Sequence, residues 1–297
     1  MKKRVIGFLL VAVIAASFML PALATPVAVG EAKEPSAEAA TEPPVEDGPK
    51  NFVFLDGIPQ SVEYEIRSGT TYVTVSSFVA MADPQAAVKE ENGAVTVSSS
   101  SEGQGTFSMT VSLHIPYIVA NGRYLYAKDI VTTVNGHVAL PIRKLAQIFN
   151  LDVDYNAAVH AALLVHVQGR SAYIQSGDSY YNADTLYWLS RIIYEESGNQ
   201  SLDGMIAVGN VVMNRVNSPE FPNNIYDVLY QKNQFSPASN GVLGRTPNGE
   251  SVVAAKLVMD GAQVVPTALF FNRAGANSYA SRTRPYVTTI GAHAFYA

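Results

Sequence analysis

The chain of 297 residues contains no cysteine. Disulfides are therefore excluded as a source of stability even in an oxidising compartment, and the fold must rest on buried cores. Every mechanism that needs a thiolate nucleophile is excluded with them. Histidine is scarce: five residues, at 114, 137, 160, 166 and 293. Their spacing does not resemble a ligand set, so neither a metal nor another cofactor is expected. Positive charge is also in short supply, with 20 Lys+Arg against 25 Asp+Glu and a net charge of −5. An acidic chain argues against nucleic acid as a partner.

The apolar run from Val5 to Leu20 is at the short end for spanning a bilayer. Lys2, Lys3 and Arg4 precede it and Pro21-Ala-Leu-Ala24 follows, so residues 1–24 read as a signal peptide cleaved after Ala24. The mature chain is then expected to be secreted, with no stable membrane span. It retains 17 Lys+Arg against 25 Asp+Glu, a charge of −8. Residues 25–50 lack aromatics and are rich in Pro, Ala and Glu. They cannot bury enough apolar area to fold and read as an extended linker.

From Asn51 to Gln168 the pattern changes to short alternating runs, and the stretch repeats itself. Val73-Thr-Val-Ser-Ser-Phe-Val-Ala-Met aligns with Leu140-Pro-Ile-Arg-Lys-Leu-Ala-Gln-Ile, pairing Val73 with Leu140, Val75 with Ile142, Phe78 with Leu145, Val79 with Ala146 and Met81 with Ile148. In both copies the apolar period switches from two to helical, then a turn at Asn92-Gly93 or Asn156 leads into a strand signal. A small mixed α/β repeat domain is expected over 51–168. The Asn-Gly turn, the hydrophobic-Pro-hydrophobic-Arg block and the hairpin make it resemble the copper amine oxidase N-terminal-like domain. The resemblance does not import the three His ligands and quinone-forming Tyr of copper amine oxidase chemistry, and the domain is expected to be a wall-associating, non-catalytic module.

Gln168 to Tyr181, rich in Gly and Ser, reads as a linker over 169–181. Beyond it, Asp184 to Ser197 carries Leu186, Leu189, Ile192 and Ile193 at helical spacing, with Asn182 or Asp184 as cap. Glu196 continues that stripe, seven residues after Leu189 and three after Ile193, whereas Glu195 is turned by about 100° toward Trp188 and Arg191 and is expected to be solvated. A partly desolvated carboxyl keeps its proton near neutral pH and can act as a general acid. The same spacing also suits a glutamate that snorkels at a helix end or answers the free amides of the next helix. Ser201 can cap that second helix, whose stripe runs Leu202, Met205, Ile206, Gly209, Val212, Met213 and Val216, with Gly209 permitting close contact.

Five blocks between Arg191 and Tyr296 then follow in order: Arg191-Ile-Ile-Tyr-Glu-Glu-Ser, Asp203 to Val216, Phe221 to Tyr230 with Gln234-Phe-Ser, Ala268-Leu-Phe-Phe-Asn, and Arg284 to Tyr296. Together they resemble the SleB-type cell wall hydrolases, the spore cortex-lytic enzyme family. The resemblance implies an α+β fold with a helix-rich, lysozyme-like catalytic domain over 182–297, peptidoglycan of wall or spore cortex as partner, and Glu196 as catalytic residue, two positions after Tyr194. Where the family continues with Arg, Gly and an acidic residue, this chain has Gly198, Asn199 and Gln200.

Tyr194, Asn214, Arg215, Gln234, Phe235, Ser236, Arg284 and His293 are the candidates for holding substrate. Asn214 and Arg215 also suit a helix end, where a cation complements the dipole. Aromatics such as Tyr226, Tyr230, Phe271, Tyr279 and Tyr286 can stack on sugars or fill a core. Arg273, Arg282 and Arg284 follow the last acid, Asp260, and form a locally basic stretch. Three wall-cleaving reactions compete. A lytic transglycosylase needs one Glu, because the sugar's own C6 hydroxyl closes on C1. A muramidase needs a second carboxylate, for which Asp203, Glu220 and Asp227 are the candidates. An N-acetylmuramoyl-L-alanine amidase using zinc needs more than the single His293 of this region. A non-enzymatic wall-binding protein is the reading from another class.

Overall fold

The computed structural model describes residues 52–101, 105–158, 160–232 and 234–297. The signal peptide and the linker expected over 25–50 lie outside them. The first repeat copy runs through β1 (Val53–Leu55), β2 (Ile58–Gln60), β3 (Tyr64–Arg67), β4 (Thr70–Thr74), helix α1 (Val75–Ala82) and the hairpin β5 (Ala87–Glu91) to β6 (Ala94–Ser101). After β7 (Gly105–Ser112), β8 (Tyr117–Ala120) and β9 (Arg123–Tyr126), the second runs through β10 (Thr132–Val134), β11 (His137–Pro141), α2 (Ile142–Ile148), β12 (Leu151–Asn156) and β13 (Ala161–His166).

The two copies meet where their equivalent strands pair. In the sheet β10-β11-β4-β3, β11 runs antiparallel to β4 and Leu140 stands opposite Val73, the residue it aligns with in sequence. A local two-fold therefore passes between them. Phe78 and Val79 of α1 and Leu145, Ala146 and Ile148 of α2 are buried in one core beneath this sheet. At Asn92-Gly93 both residues have positive φ (49° and 72°), the twist that a two-residue hairpin needs.

The region is mostly β rather than an even α/β mixture. The stretch between the copies alternates with period two, burying Phe107, Met109 and Val111, and so extends the first hairpin into a five-stranded sheet of order β5-β6-β7-β8-β9.

The connecting segment 169–181 is packed rather than loose, because its apolar residues find partners. Tyr173 stacks on Phe107 with ring centroids 4.0 Å apart, Ile174 is buried, and the Ile174 N–H donates to Ile148 at 2.9 Å. At its short helix α3 (Gly177–Tyr180) the Gly177 N–H donates to the Asn121 carbonyl at 2.8 Å, and a Cβ there would collide with the Gly122 carbonyl.

The second half contains α4 (Ala183–Ser197), α5 (Leu202–Val216), α6 (Ile225–Leu229), α7 (Ser236–Ser239), a 3₁₀ turn at Val242–Gly244, α8 (Gly249–Met259), β14 (Phe270–Arg273), α9 (Tyr279–Thr283), β15 (Tyr286–Ile290) and β16 (His293–Tyr296). Asn182 caps α4 by accepting from the Thr185 N–H at 2.9 Å, and Ser201 caps α5 by accepting from Gly204 at 3.3 Å. A Cβ on Gly209 would press on Val258 of α8 and Ile193 of α4 at 2.9 and 3.0 Å, so its absence lets α5 lie close to both helices. The three strands form the sheet β14-β16-β15. No helix among the described residues is long and apolar enough to cross a membrane.

The described residues form one compact unit, and polar groups fasten its two halves. Asp260 at the end of α8, its side chain fully buried, accepts from the Arg123 guanidinium and from the Tyr181 hydroxyl, whose oxygen accepts in turn from the Tyr124 N–H at 2.8 Å. Burial, with Asp260 beside it, pushes the Tyr181 phenol well above its ordinary range. Asp203 at the start of α5 accepts from the Tyr126 hydroxyl at 2.8 Å and the Lys128 ammonium at 2.6 Å.

Candidate active site

Leu189 and Ile193 are fully buried on α4, and Glu196 follows on the same face, half-buried where the helix runs into a cleft of about 570 Å³. The cleft is lined by Glu196, Arg215 from α5, Gln234, Phe235 and Ser236 around the start of α7, Phe270 to Arg273 of β14, Tyr279 and Ala280 of α9, and His293 of β16. Glu196 is the one carboxylate among these lining residues. Burial raises its pKa above the usual glutamate value, and the negative charge of Glu195 raises it further.

Glu195 corrects the expectation of a solvated neighbour. Its side chain is only 9% exposed, Oε1 is buried without a hydrogen-bond partner, and Oε2 lies 3.6 Å from Arg245. Helix α7 and the 3₁₀ turn after it pack against α4 and cover what helical periodicity alone leaves facing water. Glu195→Gln should move the high-pH limit of activity toward lower pH. Without its charge the ionised form of Glu196 is less disfavoured, so Glu196 loses its proton sooner. Burial, the larger cause, remains, and the shift should recover only part of the displacement. A pH–rate profile of the variant measures this, and an unmoved limb would show that Glu195 has no electrostatic hold on Glu196.

Arg215 is 4% exposed, and its guanidinium lies 4.9 to 5.3 Å from the ring centres of Phe221, Phe235 and Phe270. Its Nε donates to the Leu269 carbonyl at 2.7 Å, while Nη1 is buried and unpartnered. Burial draws its pKa down to about 10, which leaves it cationic at neutral pH. A buried cation held by rings and a carbonyl, with no carboxylate beside it, can receive an anionic group of a ligand. His293 faces the edge of Phe271, with ring centroids 5.2 Å apart. Burial lowers its pKa, so it is neutral at pH 7, and its Nδ1 is buried without a partner.

The structure thus brings Glu196, Arg215, Gln234, Phe235, Ser236 and His293 together and leaves three expected residues out. Tyr194, two positions before Glu196 and so about 200° around the helix, does not line the cleft. The Asn214 side chain donates to the carbonyls of Val265 and Ala268 at 3.1 and 2.9 Å, fastening α5 to the loop before β14. Arg284 lies over the Phe270 ring at 4.6 Å and 3.8 Å from Glu220, behind the cleft wall. Phe270, Asn272 and Ala280 were not anticipated, although the Ala268-Leu-Phe-Phe-Asn block marked the strand that carries the first two. The three carboxylates considered as second catalytic groups are engaged elsewhere: Asp203 with Tyr126 and Lys128, Asp227 with the α6 cap Asn224 at 2.6 Å, and Glu220 near Arg284.

Residues 199–296 match the family model described as Cell Wall Hydrolase. The C-terminal region is a cell wall hydrolase domain. Residues 55–162 match the Copper amine oxidase N-terminal domain. The hydrolase match begins just after Glu196, so the role of that residue rests on its place in the cleft and on the resemblance of its block. The spore cortex-lytic enzyme of Bacillus cereus is 31% identical over 116 residues, covering 39% of this chain and 45% of that one. The spore cortex-lytic enzyme of Bacillus subtilis is 31% identical over 108 residues, covering 36% of this chain and 35% of its own. The chain thus spans less than half the length of these relatives. Among solved structures, the catalytic domain of the germination-specific lytic transglycosylase SleB from Bacillus anthracis is 28% identical and is covered completely by 42% of this chain, with a TM-score of 0.38.

Proposed function

We propose that this protein is an exported enzyme that cleaves the glycan strand of peptidoglycan, in cell wall or spore cortex, as a lytic transglycosylase with Glu196 as its general acid. The observation that carries this reading is a single half-buried carboxylate, raised in pKa, on the wall of a cleft with no second carboxylate among its described lining residues to activate water. Protonated Glu196 gives its proton to the glycosidic oxygen as the bond from that oxygen to C1 of the muramic residue breaks. The C6 hydroxyl of the same residue then closes on C1. Its proton passes to the Glu196 carboxylate, so the acid is restored and no water is consumed. Arg215 supplies positive charge for the substrate's carboxylate side, and neutral His293 offers a hydrogen-bonding nitrogen. The spore cortex-lytic relatives support the substrate class, and the copper amine oxidase N-terminal domain is read as the part that associates with the wall.

Mass spectrometry of fragments released from purified peptidoglycan tests the reaction. Anhydro-muramic ends, one water lighter than hydrolysed ends, are the expected product. Reducing ends would replace this mechanism with a muramidase, and freed stem peptides, lost on adding EDTA, with a metal-dependent amidase.

A further inference from the structure

Beyond the cleft, α4 and α6 carry a group of aromatic rings that the reaction does not use. Tyr226 and Tyr230, one turn apart on and just after α6, stack with centroids 4.5 Å apart and planes 29° from parallel. Trp188 of α4 meets both edge-on, at 5.3 and 6.0 Å, and Tyr187 meets Trp188 at 4.9 Å. Tyr226 is 48% exposed and Tyr230 and Tyr187 are each 42% exposed. A cluster of half-exposed rings is the surface on which sugar rings lay their C–H faces, and a patch of this kind on a soluble protein marks an interaction site.

The patch is continuous with the catalytic cleft. A second cavity, of about 310 Å³, begins at Tyr230 and is lined by Gln231 and Lys232, and it shares Gln234, Phe235 and Ser236 with the cleft that holds Glu196. In this cavity the Gln231 amide carries a buried oxygen, Oε1, with no hydrogen-bond partner. An unmet acceptor costs stability unless a ligand answers it, and sugar hydroxyls and acetamido N–H groups are donors of the right kind.

We propose that Trp188, Tyr226, Tyr230 and Gln231 form an outer binding track for the glycan strand, holding sugars remote from the bond that is cut. The proposal rests on the reading of the cleft as a glycan-cleaving site, and it adds that the enzyme favours long strands over short fragments. Remote sugars bound on the platform contribute to capture of the strand without touching the reacting atoms.

Trp188 is the only tryptophan in the chain, so its fluorescence reports from the platform itself. In full-length protein carrying Glu196→Gln, titration with peptide-free glycan strands should shift Trp188 emission to saturation. Adding Tyr226→Ala should weaken the apparent affinity about tenfold, the loss of one good ring contact, whereas Tyr226→Phe should bind like the parent. In active protein, Tyr226→Ala should raise KM for long strands by a similar factor and leave KM for a tetrasaccharide unchanged. A silent Trp188, or equal affinity with and without the Tyr226 ring, would overturn the track, and a protein partner for the patch would give that result. Saturable binding of strands by a protein that releases no glycan fragments would uphold the track and overturn the cleavage reading. Cleavage with a silent Trp188 and an unchanged KM would do the reverse.

Discussion

Glu196→Gln should slow peptidoglycan cleavage by roughly 10²- to 10⁴-fold, the usual contribution of a positioned general acid. Glutamine keeps the length and hydrogen-bonding reach of the side chain but has no proton to give the leaving oxygen. The loss should fall on kcat, with wall retention unchanged and thermal stability no lower, since no hydrogen bond among the described residues depends on this carboxyl and the neutral amide escapes the cost of a buried negative charge beside Glu195. The pH profile carries a second signature. The acid must be protonated to work, and burial together with Glu195 raises the pH at which it loses its proton. Activity should therefore persist above the range where an ordinary glutamate ionises and then fall as pH rises through the displaced value. Full activity in Glu196→Gln would remove this residue from the mechanism.

The second large effect is structural. Asp260→Ala should cost about 3–5 kcal/mol of stability, because it leaves the Arg123 guanidinium, only 12% exposed, and the buried Tyr181 hydroxyl without their shared acceptor. Urea denaturation reads the loss directly. Arg123→Ala should couple with it, so that the double variant is less damaged than the sum of the two singles, and strict additivity would show that the pair is not an energetic unit. The same carboxylate joins a β-hairpin of the first region to the end of a catalytic-domain helix. Cutting the chain between the regions would strand it, so the hydrolase domain expressed alone should be less stable than it is in the full chain.

What could be read from sequence was local. Glu196 follows Leu189 and Ile193 on one helical stripe, the caps Asn182 and Ser201 sit one turn from the amides they satisfy, and Gly209 marks the close helix approach. Two of the misread features depend on chain distant in sequence. Glu195 is covered by residues 236–245, which periodicity in α4 cannot foresee. Asn214 has the composition of a site residue, but its partners are carbonyls at 265 and 268. Arg215, named from sequence as a candidate for holding substrate, does line the cleft, but the enclosure of its charge by Phe221, Phe235 and Phe270 is visible only in the fold. The five-stranded sheet depends on Phe107, Met109 and Val111, an alternation that lies between the repeat copies rather than within them.

The strand pairing of Val73 with Leu140 has a consequence for how the first region can assemble. A strand that pairs antiparallel with its own equivalent is the geometry of an isologous dimer, here with both partners on one chain. Tethering makes the association intramolecular and independent of protein concentration. Either copy expressed alone would carry an unsatisfied edge at β4 or β11 shaped to accept a second chain, so an isolated half should dimerise or aggregate rather than fold as a monomer.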